Sequence, residues 1–174
     1  MWHLQQSMAP TYITLFGSGK STPYLIDYLL DQAPVHGFTL RVIDRAWGFV
    51  SPNWRDSPYC ELIELEIDQA EARSNYIATS KVVVSMLPAH MHGVIAEDCL
   101  THKVPLATAS YVSDQIRAME TKLREAGITF LFEMGLDQGL DHMSAMQLID
   151  DIRARGGVIK LFESFAGGLV APES

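Results

Sequence analysis

A regular alternation of short apolar runs with amphipathic helical stretches constrains the fold of this chain more than any other feature. Runs that are apolar throughout are typical of parallel strands buried on both faces, and their alternation with helices indicates repeated β-α-β crossovers. The sequence therefore predicts an α/β fold built on a doubly wound parallel sheet. The strands are predicted at 11–16, 39–44, 62–67, 81–87, 104–110 and 128–133.

Amphipathic periodicity predicts the helices that connect these strands. In the first helix, Leu25 and Leu29 belong to the buried stripe, and Pro23 suits the first turn, where its missing N–H is no loss. The segment 158–165 is predicted to be a further strand. The helices are predicted at 22–32, 93–101, 113–125 and 141–155.

Composition argues against several kinds of partner. The formal net charge of −8 at pH 7 disfavours nucleic acid, whose binding relies on clustered Lys and Arg. No apolar stretch approaches the roughly 20 residues needed to cross a bilayer, and residues 1–10 do not resemble a signal peptide. Neither nucleic acid nor a membrane is expected as a partner. Cys60 and Cys99 lack metal-binding spacing and suit a reducing cytosol, so a cytoplasmic location is expected.

The segment TLFGSGKST, residues 14–22, presents a choice between two kinds of phosphate-binding loop. A triphosphate loop needs a glycine several residues before Gly-Lys-Ser/Thr, but Thr14 stands at that position. A dinucleotide loop needs a strand, a Gly-x-Gly turn and a helix whose N-terminus faces a pyrophosphate. Residues 12–30 supply all three, with Thr22 at the third glycine position. Gly17 and Gly19 therefore predict a dinucleotide site of the Rossmann type.

Asp44 ends the predicted second strand, where a Rossmann site places the acceptor for a ribose hydroxyl. A carboxylate at this position favours NAD, whereas the adjacent Arg45 can pair with the 2′-phosphate of NADP. The residues thus leave NADP or NAD open as the cofactor. Lys20 either touches a pyrophosphate oxygen or belongs to the solvated first turn of the helix.

Four further segments at the ends of predicted strands are polar or rich in glycine, and such ends form the ligand-binding rim of open α/β sheets. They are SMLPAHMH (85–92), TASYVSD (108–114), FEMGLDQGLDHM (132–143) and SFAGGLVAPE (164–173). In order and spacing they resemble the patterns SLLP…H, TSYVS, GLDPGIDH and SYCGGLPAPE of the glutamate-forming saccharopine dehydrogenase family. The resemblance runs from Thr11 onward and departs from the family at Gln138, Phe165-Ala166 and Val170.

The resemblance implies an NAD(P)-dependent oxidoreductase of lysine metabolism that oxidises the C–N bond of a secondary amine. In the family, saccharopine is oxidised to an imine, and water then releases glutamate and aminoadipate semialdehyde. The implied partners are a small amino-acid substrate and further copies of the chain in a homo-oligomer.

The same resemblance assigns residues to the site. The Gly-Ser-Gly loop would bind the dinucleotide, with the adenosine ribose near the end of the second strand and the nicotinamide ribose near the Leu-Pro turn. The cofactor-binding residues predicted in this way are Gly17, Ser18, Gly19, Lys20, Asp44, Arg45, Leu87 and Pro88. Those predicted to contact the substrate are Ser110, Tyr111 and Asp137.

No catalytic base can be named from the residues. Asp137, His92 and His142 are candidates, but a histidine near the start of a helix is more often structural. His90 and His92 would point away from each other on a helix, and no third ligand is evident, so no metal site is predicted.

Three regions are predicted: a flexible leader at 1–10, a dinucleotide-binding domain at 11–133, and the beginning of a second α/β domain at 134–174. In the family that second domain supplies most of the substrate pocket, so this chain is expected to turn over saccharopine poorly or not at all. The apolar faces of 141–155 and 158–165 are expected to promote self-association.

Two other functions remain open. One is an enzyme similar to carboxynorspermidine dehydrogenase, which also oxidises a C–N bond. The other is a non-catalytic nucleotide-binding or oligomerisation module. A triphosphate hydrolase is disfavoured by the spacing of the loop.

Overall fold

The fold is a six-stranded, all-parallel sheet in the order β3-β2-β1-β4-β5-β6. It is taken from a computed structural model that describes residues 10–137 and 139–165. The strands are β1 (Thr11–Phe16), β2 (Phe38–Asp44), β3 (Cys60–Glu64), β4 (Ser80–Ser85), β5 (Leu106–Thr108) and β6 (Phe130–Leu131). The predicted doubly wound parallel sheet is confirmed.

Helices cover both faces of this sheet. They are α1 (Pro23–His36), α2 (Pro52–Asp56), α3 (Ala70–Ala78), α4 (His92–His102), α5 (Asp114–Arg117), α6 (Glu120–Ala126) and α7 (Leu140–Ala154), with a 3₁₀ turn at Ala89–Met91. Among the described residues, no helix is both long and apolar enough to span a membrane.

Two apolar cores, one on each face, hold the layers together. Adjacent strand residues point to opposite faces, so Leu15 packs with Ile26 of α1 on one side while Phe16 packs with Ile95 of α4 on the other. This two-sided burial explains why the strands read as continuous apolar runs rather than alternating ones.

The strand order reverses at β1, which pairs with β2 on one side and β4 on the other. The crossovers after β1 and β4 therefore leave the sheet in opposite directions, which opens a crevice above the carboxyl ends of these strands. The glycine-containing loop that follows β1 lies at this crevice.

Several predicted elements differ from the structure. The predicted helix 113–125 is two helices, α5 and α6, separated at Ala118–Met119. β3 begins and ends earlier than the predicted 62–67, so the chain leaves the sheet after Glu64. Helix α3 was not predicted, because Arg73 is buried in it and its sequence is on average not apolar. The predicted strand 158–165 is wrong: this segment pairs with no strand among the described residues.

Helix α7 lies at the edge of the described structure and has no buried residue. Leu140, Met143, Met146 and Leu148 are all exposed on it, as are Leu161 and Phe162 after it. The predicted leader at 1–10 lies, except for Pro10, outside the described residues.

Candidate functional site

Gly17 makes the turn that carries the chain from β1 toward α1. Its φ of +96° is a conformation that favours glycine, and its N–H donates to the carbonyl of Ile43 at 2.8 Å. A Cβ atom at this position would lie 3.0 Å from both the carbonyl carbon and the oxygen of Met86. The loop can therefore approach the chain after β4 only because residue 17 has no side chain.

Gly19 has a different environment, because a Cβ atom built there would have no heavy atom within 4 Å. This glycine lines an open cavity and leaves its backbone accessible to a ligand. Thr22, which precedes α1, is fully buried, and its amide donates to the carbonyl of Gly19 at 2.9 Å. Its Oγ1 has no hydrogen-bond partner within residues 10–137 and 139–165. The accessible backbone at Gly19, close to the N-terminus of a helix, fits a bound phosphate group.

Asp44, at the carboxyl end of β2, fixes the loop from the other side. Its Oδ2 accepts hydrogen bonds from the amide of Ser18 at 2.6 Å and from the Ser18 hydroxyl at 2.7 Å. Its Oδ1 accepts from the amide of Arg45 at 2.7 Å. Partial burial alone would raise the pKa of Asp44, but these hydrogen bonds outweigh burial and hold the pKa below its ordinary value. Asp44 is therefore a carboxylate at neutral pH.

A cavity of about 470 Å³ lies above the carboxyl ends of β1, β2, β3 and β4. The glycine loop and the end of β2 form one part of its wall, and the segments after β3 and β4 form the rest. Its lining residues are Phe16, Gly17, Gly19, Ile43, Asp44, Arg45, Leu65, Glu66, Ile67, Asp68, Met86, Leu87, Pro88 and Met91. The cavity combines an apolar floor with three acidic residues, one arginine and exposed backbone, and it lies at the strand ends where α/β sheets bind nucleotides.

A second polar group lies at the ends of β4 and β5, centred on His92. The imidazole is 3% exposed and meets Ser85 Oγ through Nδ1 at 2.8 Å. Its Nε2 meets Ser110 Oγ at 2.6 Å and Thr108 Oγ1 at 3.4 Å. Burial lowers the pKa of His92, and the nearby His90 lowers it further. The ring edge also packs against Phe132 with a centroid separation of 6.4 Å.

The loops after β5 and β6 are hydrogen-bonded to each other. The amide of Glu133 donates to the Ser110 carbonyl at 2.9 Å, and the Glu133 carboxylate accepts from the amide of Val112 at 3.4 Å. Glu133 has a φ of +62°, which is uncommon for a residue with a side chain. Tyr111, on the first loop, is 58% exposed, and Asp137, on the second, is also exposed.

Comparison with known proteins identifies the family to which this fold belongs. Residues 13–131 match the family model for the saccharopine dehydrogenase NADP binding domain, and residues 135–174 match that for the saccharopine dehydrogenase C-terminal domain. The chain belongs to the saccharopine dehydrogenase family.

Individual relatives match most of this chain. Saccharopine dehydrogenase [NADP(+), L-glutamate-forming] of Pyricularia oryzae is 32% identical over 96% of this chain and 36% of its own length. Alpha-aminoadipic semialdehyde synthase of Arabidopsis thaliana is 44% identical over 64% of this chain and 10% of its own length. The structure of apo saccharopine dehydrogenase (L-Glu forming) from Saccharomyces cerevisiae aligns with a TM-score of 0.73 and 28% identity, over 84% of this chain and 32% of that one. The chain thus spans about a third or less of these relatives.

The structure brings together most residues that the sequence predicted at the dinucleotide site. Of these, Gly17, Gly19, Asp44, Arg45, Leu87 and Pro88 line the cavity. Ser18 does not line the cavity but is hydrogen-bonded to Asp44, which does. Lys20 is exposed outside the lining. The predicted substrate residues Ser110, Tyr111 and Asp137 lie on the neighbouring loops after β5 and β6, and none of them lines this cavity.

Sequence reasoning missed the segment Leu65–Asp68 as part of the lining, and it placed Met86 and Met91 in the rim segment 85–92 without naming them as cofactor residues. Leu65–Asp68 was missed because the predicted third strand extended to residue 67 and so placed most of this segment inside the sheet. Since β3 ends at Glu64, the segment belongs to the ligand-binding rim instead. Of the predicted catalytic candidates, His142 lies on exposed α7 and contacts Asp141 at 3.0 Å. No cluster of potential metal ligands occurs within the part of the chain that the structure describes.

Proposed function

We propose that this chain is the dinucleotide-binding part of an NAD(P)-dependent oxidoreductase that oxidises the C–N bond of saccharopine, giving glutamate and aminoadipate semialdehyde. The cavity at the crevice carries the proposal, because it joins an open glycine loop to Asp44 and Arg45 above an apolar floor. The names of the relatives support saccharopine as the substrate and NADP as the cofactor. A cytoplasmic location is part of the same proposal.

Most of the predicted cofactor residues are given a role that follows from their position; Lys20, exposed outside the lining, is given none. The amides around Gly19 and the N-terminus of α1 would face the pyrophosphate. Asp44 holds Ser18 in place and lies where a ribose hydroxyl is expected, while Arg45 would pair with a 2′-phosphate. Leu87 and Pro88 form the wall on the side of β4, where the nicotinamide ribose would lie.

The bound dinucleotide would supply the redox chemistry by accepting a hydride, the hydrogen with its bonding electron pair, from the carbon of the substrate C–N bond. The residues of this chain would bind and orient the reactants. Ser110, Tyr111 and Asp137 would contact the amino-acid substrate from the loops after β5 and β6. We also place the boundary between the two domains at 133/134, next to the hydrogen bonds that join these loops.

Calorimetric titration with NADP⁺ and NAD⁺ in parallel tests the proposal. We expect saturable binding of at least one of them, and no detectable competition by ATP with Mg²⁺. Preferential binding of ATP with Mg²⁺, or binding of neither dinucleotide, would contradict a dinucleotide site in this chain. Steady-state turnover of saccharopine is not expected, because the chain spans about a third of the length of its named relatives.

Replacing Arg45 with alanine should weaken the binding of NADP⁺ and leave that of NAD⁺ unchanged. Arg45 is exposed at the cavity and forms no ion pair within the described residues, so its loss removes one guanidinium–phosphate contact without disturbing the fold. We expect the Kd for NADP⁺ to rise about tenfold, equivalent to about 1.4 kcal/mol. Calorimetry with both dinucleotides gives the comparison. An equal loss for both, or none for NADP⁺, would show that Arg45 does not face a 2′-phosphate.

Replacing Asp44 with asparagine should make the unfolding free energy depend less on pH below neutrality. Because the folded pKa of Asp44 lies below its unfolded value, its carboxylate stabilises the fold above that unfolded value, and this contribution is lost as pH falls through the folded pKa. The difference in unfolding free energy between wild type and Asp44→Asn should be largest near neutrality and shrink toward about pH 3. Urea unfolding at several pH values measures it. A difference that grew on acidification would contradict this sign.

We further propose that the chain self-associates through the apolar surface of α7. No residue of this helix is buried, and its exposed Leu140, Met143 and Met146 form an apolar surface at helical spacing. We expect the apparent mass in size-exclusion chromatography with light scattering to rise with concentration. Met143→Glu should reduce that rise, whereas Asp150→Glu on the same helix should not. A monomer at all concentrations would argue against this proposal.

A further inference from the structure

The lining of the dinucleotide cavity carries more negative than positive charge. Its acidic residues are Asp44, Glu66 and Asp68. Its one basic residue, among those that the structure describes, is Arg45, because Lys20 lies outside the lining. Three negative charges and one positive charge give this lining a net charge of −2 at neutral pH.

Asp44 cannot turn its carboxylate away from a ligand without losing hydrogen bonds. Oδ2 accepts from the amide and the hydroxyl of Ser18, at 2.6 and 2.7 Å, and Oδ1 accepts from the amide of Arg45 at 2.7 Å. The amide of Ala46 is 3.5 Å from Oδ1, at the limit of a hydrogen bond, so this oxygen can accept from a further donor. The 2′-hydroxyl of NAD⁺ can be that donor, whereas the 2′-phosphate of NADP⁺ brings negative charge to the same place.

The segment that carries Glu66 and Asp68 is held beside the end of β2. The amide of Leu65 donates to the last residue of β2 at 2.9 Å, and the guanidinium of Arg73 donates to the carbonyl of Ile67. Within the part of the chain that the structure describes, neither the Glu66 nor the Asp68 carboxylate forms an ion pair. The protein therefore holds two negative charges at the cavity without neutralising them.

We propose that this site selects NAD⁺ over NADP⁺, because its three acidic residues together repel a 2′-phosphate more strongly than Arg45 attracts it. This inference rests on the proposed function, in which the cavity binds a dinucleotide. A phosphate monoester carries about 1.5 to 2 negative charges at pH 7. In cofactor choice the chain then differs from its relative in Pyricularia oryzae, whose name specifies NADP(+).

The two acidic residues after β3 decide the balance of charge around the ribose. Asp44 and Arg45 alone carry opposite charges, which offset each other toward a 2′-phosphate. Glu66 and Asp68 add only repulsion, and a ligand that fills the cavity lies too close to its lining for salt to screen this repulsion fully. The pyrophosphate is common to both cofactors, so its own repulsion cancels when NAD⁺ is compared with NADP⁺.

Calorimetric titration of the wild-type chain with both dinucleotides, at low and at high salt, tests the selection. We expect the Kd for NAD⁺ to be about tenfold below that for NADP⁺ at about 0.02 M salt. The ratio of the two should become smaller at about 0.5 M salt, because salt screens the repulsion. Equal affinities, tighter binding of NADP⁺, or a ratio that grows with salt would overturn the proposal.

The double variant Glu66→Gln/Asp68→Asn removes two charges from the lining with little change of shape. Both side chains are exposed, so the fold should be retained. The Kd for NADP⁺ should fall about fivefold, while that for NAD⁺ stays within about twofold of wild type. Asp150→Asn/Asp151→Asn is the matched control, since it removes two charges from α7, outside the lining, and should leave the ratio unchanged. The same ratio in all three chains, or an equal change in both variants, would show that the acidic lining does not set the preference.

A pair of smaller ligands isolates the contact at the ribose. 5′-AMP and 2′,5′-ADP differ only in the 2′-phosphate, and neither contains nicotinamide. We expect 5′-AMP to displace NAD⁺ from the wild-type chain at a lower concentration than 2′,5′-ADP does. Stronger displacement by 2′,5′-ADP would mean that Arg45 outweighs the acidic residues.

The two ways in which binding could fail are distinct. If the chain bound NADP⁺ more tightly than NAD⁺, the selection would be refuted and the dinucleotide site would still be supported. If it bound neither, the dinucleotide site itself would be refuted, and the selection with it.

Discussion

Replacing Gly17 with alanine should both destabilise the fold and abolish dinucleotide binding. The φ of +96° at this position is unfavourable for any residue with a Cβ, and the new methyl group would press against the backbone of Met86 at 3.0 Å. Backbone cannot rotate away as a side chain can, so the loop would have to move from β4. We expect a loss of at least about 2 kcal/mol in unfolding free energy.

Gly19→Ala is the matched control, since the two glycines lie in one loop and differ in their surroundings. A Cβ at residue 19 meets no atom within 4 Å, and its φ is not in the left-handed range. We therefore expect unfolding free energy within about 0.5 kcal/mol of wild type. The methyl group would still project where the backbone lines the cavity, so the Kd for NADP⁺ should rise at least about tenfold.

Urea unfolding and calorimetry on both variants separate the two effects. Gly17→Ala should lose stability and binding together, and Gly19→Ala should lose binding alone. If Gly19→Ala bound NADP⁺ as tightly as wild type, the open backbone at this position would not be the phosphate site. If Gly17→Ala were as stable as wild type, the close approach of the loop to Met86 would not constrain the fold.

The sequence was sufficient to predict the sheet and the glycine loop because both depend on local patterns. Continuous apolar runs identify strands buried on two faces, and Gly-x-Gly after the first of them identifies the turn. Asp44 was placed correctly for the same reason, since it ends a strand. Its bonds to Ser18 join residues 26 positions apart in the chain, and no local pattern signals such a contact.

The features that sequence reasoning missed depend on contacts between distant elements. The end of β3 is set by its parallel pairing with β2, where the last paired residues are Asp44 and Glu64, and not by the apolar run, which continues to Ile67. The His92 group likewise needs β4 and β5 to lie side by side before its hydroxyls can meet. The predicted strand 158–165 shows the opposite error, because no strand within residues 10–137 and 139–165 lies beside this segment to pair with it.

Helix α3 forms through contacts with other elements and not from an apolar pattern in its own sequence. Replacing its Arg73 is the second change with a large expected effect. Arg73 is 8% exposed, and its Nε donates to Asp98 of α4 at 2.8 Å. Its Nη1 also donates to the carbonyl of Ile67, which lines the dinucleotide cavity. Arg73 therefore joins two helices and fixes one wall of the site.

Arg73→Met should leave the partly buried Asp98 without its partner and lower the unfolding free energy by about 2 kcal/mol, or the melting temperature by about 4–8 °C. The exposed pair of Arg124 and Glu120 provides the control, because Arg124→Met should cost less than about 1 kcal/mol. Thermal unfolding of the two single variants compares a buried with an exposed ion pair. Equal losses of unfolding free energy would show that the pair of Arg73 and Asp98 stabilises the fold no more than the exposed pair does.

The double variant Arg73→Met/Asp98→Leu distinguishes the two roles of Arg73. Removing both charges eliminates the unpaired carboxylate, so much of the stability lost in Arg73→Met should return. The hydrogen bond to the Ile67 carbonyl does not return, so NADP⁺ binding should stay weaker than in wild type. Recovery of binding together with stability would mean that α3 and α4 affect the cavity only through global folding. Recovery of stability alone would make Arg73 a residue that shapes the dinucleotide site from outside its lining.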